Sequence, residues 1–233
     1  MPKLIEIIGS PGSGKTFLCD ELEKIKKNNE KIFFHSSNIN NNKIFKKLNF
    51  IKKNLKRLKV IFIVIFFCLI FSRRFFLKKI YKKKFFFNVI LLIIKHFLCI
   101  EYLKSSLPNY KYLITEPGPI MYFLQDYFYI NKKISKFEIN IFNKFFLNTD
   151  FIIHLKCNPD LSIKRLHKRK RGLPIRMRNL NDKDIKKTIL NSIKVIDNYI
   201  KNSKNLVVGT KILKLNTTHS RISKSFKYNF LKN

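Results

Sequence analysis

The sequence predicts an α/β fold, with a mainly parallel sheet covered by helices on both faces. Three observations predict it. Short apolar, β-branched runs alternate with longer helical patterns along the chain, and strands separated by helices pair in parallel. The strand runs carry few polar residues, as strands buried on both faces do. The first run also leads directly into a glycine-rich turn and then a helix. At 233 residues the chain is expected to form one domain with an ample core.

The elements follow in order. Residues 3–8, Lys-Leu-Ile-Glu-Ile-Ile, read as a short buried strand. Residues 17–28 read as a helix, with Phe17, Leu18, Leu22 and Ile25 on its apolar side. Residues 31–35 read as the second strand. Residues 38–107 show mainly helical patterning, with Lys-rich breaks near 52–59, 73–74 and 78–84 that suggest three or four helices; Pro108-Asn109 ends the region. Residues 111–115 form the next strand, closed by the turn Glu116-Pro117-Gly118-Pro119. Residues 120–130 and 136–147 read as helices and 151–156 as a strand. Pro159 suits the first turn of a helix that runs to about residue 170. Arg171-Gly172-Leu173-Pro174 breaks it. Residues 181–202 form a long amphipathic helix, with Ile185, Ile189, Ile193, Ile196 and Ile200 near helical spacing. Residues 206–208 and 212–215 supply the last strand, and Asn216-Thr217-Thr218 leads into a terminal helix.

The most specific motif is Gly9-Ser10-Pro11-Gly12-Ser13-Gly14-Lys15-Thr16, which matches the phosphate-binding pattern G-x-x-x-x-G-K-[ST] throughout. The chain has six glycines, and half of them sit here, so the cluster is not a by-product of composition. Glycines let the backbone approach a ligand closely. Successive N–H groups then converge on phosphate oxygens, and the head of the following helix adds to the anion site. The pattern assigns Lys15 to the β- and γ-phosphates and the Thr16 hydroxyl to Mg²⁺. A glycine-rich turn with a chance lysine is the plain alternative, and the strand before and helix after weigh against it.

Forty-nine Lys and Arg stand against 14 Asp and Glu, a net charge of +35. From residue 31 to residue 100 there are 17 basic residues and no acidic one. Such a charge favours anionic partners: a phosphorylated substrate, nucleic acid or an acidic membrane surface. Coding bias accounts for the same excess, because the chain is crowded with Lys, Asn, Ile and Phe and lacks Trp. Nucleic acid is not expected as a partner, since no recognised binding motif accompanies the charge.

Cys19, Cys68, Cys99 and Cys157 are far apart, without a C-x-x-C pair, and read as thiols of a reducing compartment. A strand beginning at residue 3 leaves no room for a signal peptide, so a cytoplasmic protein is expected. Residues 60–71 form 12 consecutive apolar positions between basic flanks, and 85–100 form a second apolar stretch broken by Asn88, Lys95 and His96. Twelve helical residues reach about 18 Å, against a hydrocarbon core of about 30 Å. A buried helix is the expected reading, and peripheral contact with an anionic membrane the alternative.

These features together resemble the P-loop family of nucleoside and nucleotide kinases, with thymidylate-kinase-like members nearest. The resemblance covers nearly the full chain in element order, and only the phosphate loop is highly specific. It implies a three-layer P-loop fold in which 38–107 is a helical insertion between strands two and three, on the acceptor side. It implies ATP and Mg²⁺ as cofactors and a small-molecule phosphoryl acceptor, a nucleoside or nucleotide. Lys15 and the amides of residues 9–16 would hold the phosphates. Glu116, at the end of the third strand, resembles the acid that orients the metal shell or takes the acceptor proton. A solvated turn acid beside two prolines is its plain reading. Family members often carry an Arg just behind this acid, where this chain has Pro117-Gly118-Pro119. The basic segment 165–178 resembles the lid, with Arg165 and Arg169 four apart on one helix face, Arg171 at a glycine break, and Arg176 and Arg178 further on. Thr217 falls in the loop that lies beside the adenine base. His154 reads as a core residue, and His35 ends strand two without an assigned role. Three rivals stand beside the kinase: a nucleotide-hydrolysing switch, for which no Asn-Lys-x-Asp guanine motif is present; a nucleotide-binding protein docked on a membrane through residues 55–100; and a nucleic-acid binder, which the charge permits and no recognised motif supports. The residues set no oligomeric state.

Overall fold

The computed structural model describes residues 1–26, 32–36, 99–101, 103–129, 133–146, 149–169, 172–203 and 210–217. Five strands, β1 (Lys3–Gly9), β2 (Ile32–Ser36), β3 (Tyr112–Glu116), β4 (Phe151–Lys156) and β5 (Lys211–Asn216), form one sheet in the order β2-β3-β1-β4-β5. All four pairings are parallel. The described helices are α1 (Lys15–Lys26), α2 (Pro119–Tyr129), α3 (Lys136–Phe146), α4 (Pro159–His167) and α5 (Asp182–Ser203), with a 3₁₀ turn at Ile175–Met177. The chain divides into two compact units: residues 2–36 with 109–233, and residue 1 with 37–108. In the second unit, residues 99–101 and 103–106 are helical, with Cys99, Ile100 and Leu103 buried.

Alternation along the strands sorts the two faces of the sheet. Ile5, Ile7, Ile114, Ile153 and Leu155 pack against Leu18 and Leu22 of α1. Leu4, Glu6, Ile8, Leu113, Thr115, Ile152 and His154 are buried on the other face, where α2 and α5 pack on β1. Helices therefore cover both faces. β1 leaves the sheet toward β2, whereas β3 and β4 lead the chain the other way. Ligands in open α/β sheets bind at such a reversal, beyond the carboxyl ends of the strands, and the phosphate loop starts there.

Local chemistry sets the helix ends. Ser135 and Glu138 form a reciprocal capping box at the head of α3: Glu138 Oε2 accepts from the Ser135 N–H at 2.8 Å, and Ser135 Oγ accepts from the Glu138 N–H at 3.3 Å. Asn158 caps α4 by accepting from the Asp160 N–H at 2.9 Å, with Pro159 in the first turn. The Asn181 side chain accepts from the Asp184 N–H at 2.9 Å and starts α5. The amide of Asn191 then donates to the carbonyls of Tyr127 and Phe128 at 3.0 and 2.8 Å, groups that the end of α2 leaves without helical partners. Phe123 of α2 stacks on Phe142 of α3, with centroids 4.2 Å apart.

Element order agrees with the sequence reading, and β4 has the expected limits. The helix expected to reach about residue 170 stops at His167, with Lys168 as its C-cap. Lys168, Arg169, Lys170 and Arg171 are four successive cations, which repel along a helix. Gly172 takes φ +69° and its N–H donates to the Arg169 carbonyl at 2.8 Å, turning the chain. The last strand is Lys211–Asn216. The helical reading of 38–98, the apolar run 60–71, most of 85–100, the strand at 206–208 and the terminal helix lie outside the described residues. Among the described residues, no helix is long and apolar enough to cross a membrane. Cys19, Cys99 and Cys157 carry no disulfide, and Cys68 lies outside the described residues.

His154 is a buried side chain in β4, and its Nδ1 has no hydrogen-bond partner among the described residues. Burial lowers its pKa from 6.5 to about 4; Asp197 opposes the shift, and Lys156 and Lys214 add to it. The unfolded chain takes up this proton from pH 6.5 downward, whereas the folded protein resists until about 4. Stability is therefore lost as pH falls through that window, by at most about 1.4 kcal/mol per pH unit. Chemical denaturation across the window should show this loss, and His154→Gln should flatten it.

Candidate active site

β1 ends at Gly9, the loop occupies Ser10 to Gly14, and α1 begins at Lys15. Gly12 and Gly14 adopt φ +78° and +94°, the left-handed region that L side chains rarely enter. Gly12 is doubly constrained, because a Cβ there would fall on the carbonyl oxygen of Ser162 in α4. Ser13 N–H donates to the Ser10 carbonyl at 3.1 Å, closing the turn. The first α1 bond runs from the Leu18 N–H to the Gly14 carbonyl at 3.0 Å. The N–H groups of the preceding first-turn residues thus have no partner within the helix, and the helix dipole makes their surroundings positive.

Lys15 is the cation of this loop. Its Nζ donates to the Gly9 carbonyl at 2.8 Å and to the Ser10 carbonyl at 3.1 Å. Burial lowers its pKa; the Glu116 carboxylate opposes that shift, Arg169 adds to it, and Cys19 opposes it weakly. Glu116 and Arg169 are thus the charged groups whose fields act most on Lys15. Glu116 is the last residue of β3, in register with Ser36 at the end of β2, and it is half-buried. The bond that follows it, Glu116–Pro117, is cis. The sequence reading placed Glu116 in the turn; the strand runs one residue further and holds it at the crevice.

Arg165 projects from α4 toward the same loop. Its Nη2 donates to the Thr217 carbonyl at 2.8 Å, and its Nη1 to Thr217 Oγ1 at 3.3 Å and Cys157 Sγ at 3.4 Å. A Cβ built on Gly14 would lie 3.6 Å from Nη1. Arg165 thus joins α4, the end of β5 and the phosphate loop. Arg169 lies beyond the end of α4 and is exposed, so the expected shared helix face with Arg165 does not form. Arg171 lies outside the described residues. Arg176 sits over the Tyr129 ring, 5.4 Å from its centroid, and Arg178 Nε donates to the Leu173 carbonyl at 3.3 Å. Arg176 thus covers the end of α2, and Arg178 is held within the turn after α4.

Thr217 lies just past β5, as expected, and is fully buried. Its N–H and hydroxyl both donate to the Lys156 carbonyl, at 2.8 and 3.0 Å, and the hydroxyl also accepts from Arg165. Its side chain is spent inside the protein. Sequence reasoning missed Ser162, whose backbone abuts Gly12, and Cys157, whose sulfur meets Arg165; nothing in their sequence context marks either. It also passed over Glu6, the one acid inside an otherwise apolar strand, which was a legible signal.

No protein-family model matches the chain, and no curated protein matches it. Two solved structures of deoxyadenosine kinase from M. mycoides are similar to it. The one with the products dCMP and a flexible dCDP shares 18% identity, covers 98% of each chain and superposes with a TM-score of 0.52. The one with bound dATP shares 15% identity, covers 99% of this chain and 100% of the other, with a TM-score of 0.51. The chain has the P-loop kinase fold.

The interlock of Gly12 with α4 yields a test. Gly12→Ala should cost about 1–3 kcal/mol from backbone strain alone. Thermal unfolding reads the loss, and an unchanged melting temperature would refute the interlock.

Proposed function

We propose that this chain transfers the γ-phosphoryl group of ATP to a small-molecule acceptor, a nucleoside or nucleotide. One observation carries the reading: a half-buried Lys15, held by the Gly9 and Ser10 carbonyls of the phosphate loop, feels the charge of the strand-end carboxylate Glu116. The fold shared with two structures of a deoxyadenosine kinase supports the acceptor class.

Phosphoryl transfer asks little covalent chemistry of a protein, so positioning and charge neutralisation carry the rate. The loop amides of residues 9–16 and the head of α1 bind the phosphate tail. The positive-φ turns at Gly12 and Gly14 suit the loop to an anion. The Lys15 ammonium exchanges its two carbonyl partners for β- and γ-phosphate oxygens, gaining charge-assisted bonds. The Thr16 hydroxyl and Glu116 carboxylate are hard oxygen donors, suited to a Mg²⁺ ion, which when bound spreads charge from the phosphates. Glu116 orients that shell or accepts the acceptor's proton. Arg165 is already braced beside Gly14 by Thr217. Arg169, beyond the helix end, and Arg171 after it supply positive charge for the transferring group. We assign Thr217 to that bracing, next to the nucleotide.

Two substitutions test the assignment. Lys15→Ala should abolish ATP-dependent transfer to a panel of nucleosides, nucleoside monophosphates and sugars; undiminished turnover would reject the loop assignment. Glu116→Gln should lower kcat by about 10²–10⁴-fold, with calorimetric ATP affinity retained. A wild-type rate would remove Glu116 from the mechanism. Labelled ATP separates transfer from hydrolysis, because a kinase delivers label to the acceptor and a hydrolase to phosphate.

A further inference from the structure

Glu6 lies in the middle of β1, on the face away from α1, and is fully buried. Its Oε1 accepts the N–H of Met121 at 3.0 Å. Met121 is in the first turn of α2, whose N–H groups have no helical partners of their own. A carboxyl from a distant strand therefore caps this helix. A Cβ built on Gly118 would collide with the Glu6 carboxyl, so the turn passes directly over it. Thr115, one residue before Glu116, is level with Glu6 in the β1–β3 register. Glu6 Oε2 is buried with no partner among the described residues.

We propose that Glu6 is a positioning residue that clamps the turn carrying Glu116, and the head of α2, onto the strand that carries the phosphate loop. The assignment rests on the kinase reading, and Glu6 itself touches no reacting atom. It sets the spacing of the two halves of the site, because the loop begins at Ser10, four residues after Glu6, and the turn rests on its carboxyl.

The clamp works with its proton on. An ionised carboxylate with a buried, unpartnered oxygen is costly, and the neutral acid much less so. Burial raises the Glu6 pKa from 4.5 to about 8, with the Met121 and Ile120 N–H groups pulling the other way. Among the described residues, the groups packed around it offer no cation: from α5 the Tyr199 phenol, itself held neutral by burial; from α2 the two N–H groups; from β3 and β4 the uncharged Thr115 and Ile152. Because the folded pKa exceeds the unfolded one, the stability from this proton is complete below pH 4.5 and drains away as pH rises to about 8.

Two measurements decide it. The first needs no activity: melting temperatures of wild type and Glu6→Gln compared across that pH range. Glutamine keeps the acceptor for Met121 and cannot ionise, so the variant should gain on wild type as pH rises and hold its gain above about 8. A pH-independent difference overturns the clamp. The second uses turnover. Glu6→Ala should lower kcat roughly 10–100-fold with ATP affinity unchanged. Glu6→Gln should recover most of that rate and lack the wild type's alkaline loss. If Glu6→Ala fails to fold, the Glu6→Gln profile carries the test, and an alkaline limb identical to wild type overturns the proposal. Absence of any transfer by wild type defeats the kinase reading instead, and the melting curves then decide the clamp alone.

Discussion

The loop at the carboxyl end of β1 depends on a single half-buried cation. Lys15 closes the turn by donating to the Gly9 and Ser10 carbonyls, so the hollow of the loop is shaped by the side chain at its own end. Burial makes that charge costly, and the Glu116 carboxylate across the crevice offsets part of the cost. The rest of the sheet supplies the geometry: β1 lies between β3 and β4, and the chain reverses direction around it.

The two faces of the sheet serve the site differently. On one, α1 is bound by aliphatic packing from Leu18 and Leu22, which fixes the helix that follows the glycine-rich loop. On the other, polar contacts inside the core set positions that aliphatic contacts alone leave open. Tyr199 OH donates to Asn143 Oδ1 at 2.8 Å, and Asn143 Nδ2 to Ser203 Oγ at 3.2 Å. Asn191 satisfies the last carbonyls of α2, and Glu6 its first amides. α2 is therefore hydrogen-bonded at both ends by groups from other elements, which gives the turn before it a defined place.

Among the described residues, most of the elements were legible in the sequence because their signals are local. The glycine spacing, the β-branched runs and the isoleucine stripe of α5 each act within one element, and β4 was delimited to the residue. What was not legible depends on contacts between distant segments. Arg165 and Thr217 are 52 positions apart, and no periodicity connects them. The end of α4 was overrun because four successive cations fit a helical pattern until their mutual repulsion and the turn at Gly172 are counted. Arg176 and Arg178 looked equivalent to Arg165 by composition, yet one covers Tyr129 and the other binds the Leu173 carbonyl. Glu6 stood in plain view; only the fold brings Met121 and Gly118 to it.

The tie between Arg165 and Thr217 has an evolutionary consequence. The shorter of its two bonds ends on a main-chain oxygen, which every amino acid supplies. Position 217 can therefore drift among side chains that fit the space without losing that tether. Position 165 has no such latitude, since a forked, two-nitrogen donor has no substitute among the other natural residues. In a lineage whose composition runs so heavily to lysine, retention of arginine at 165 would mark purifying selection rather than codon preference.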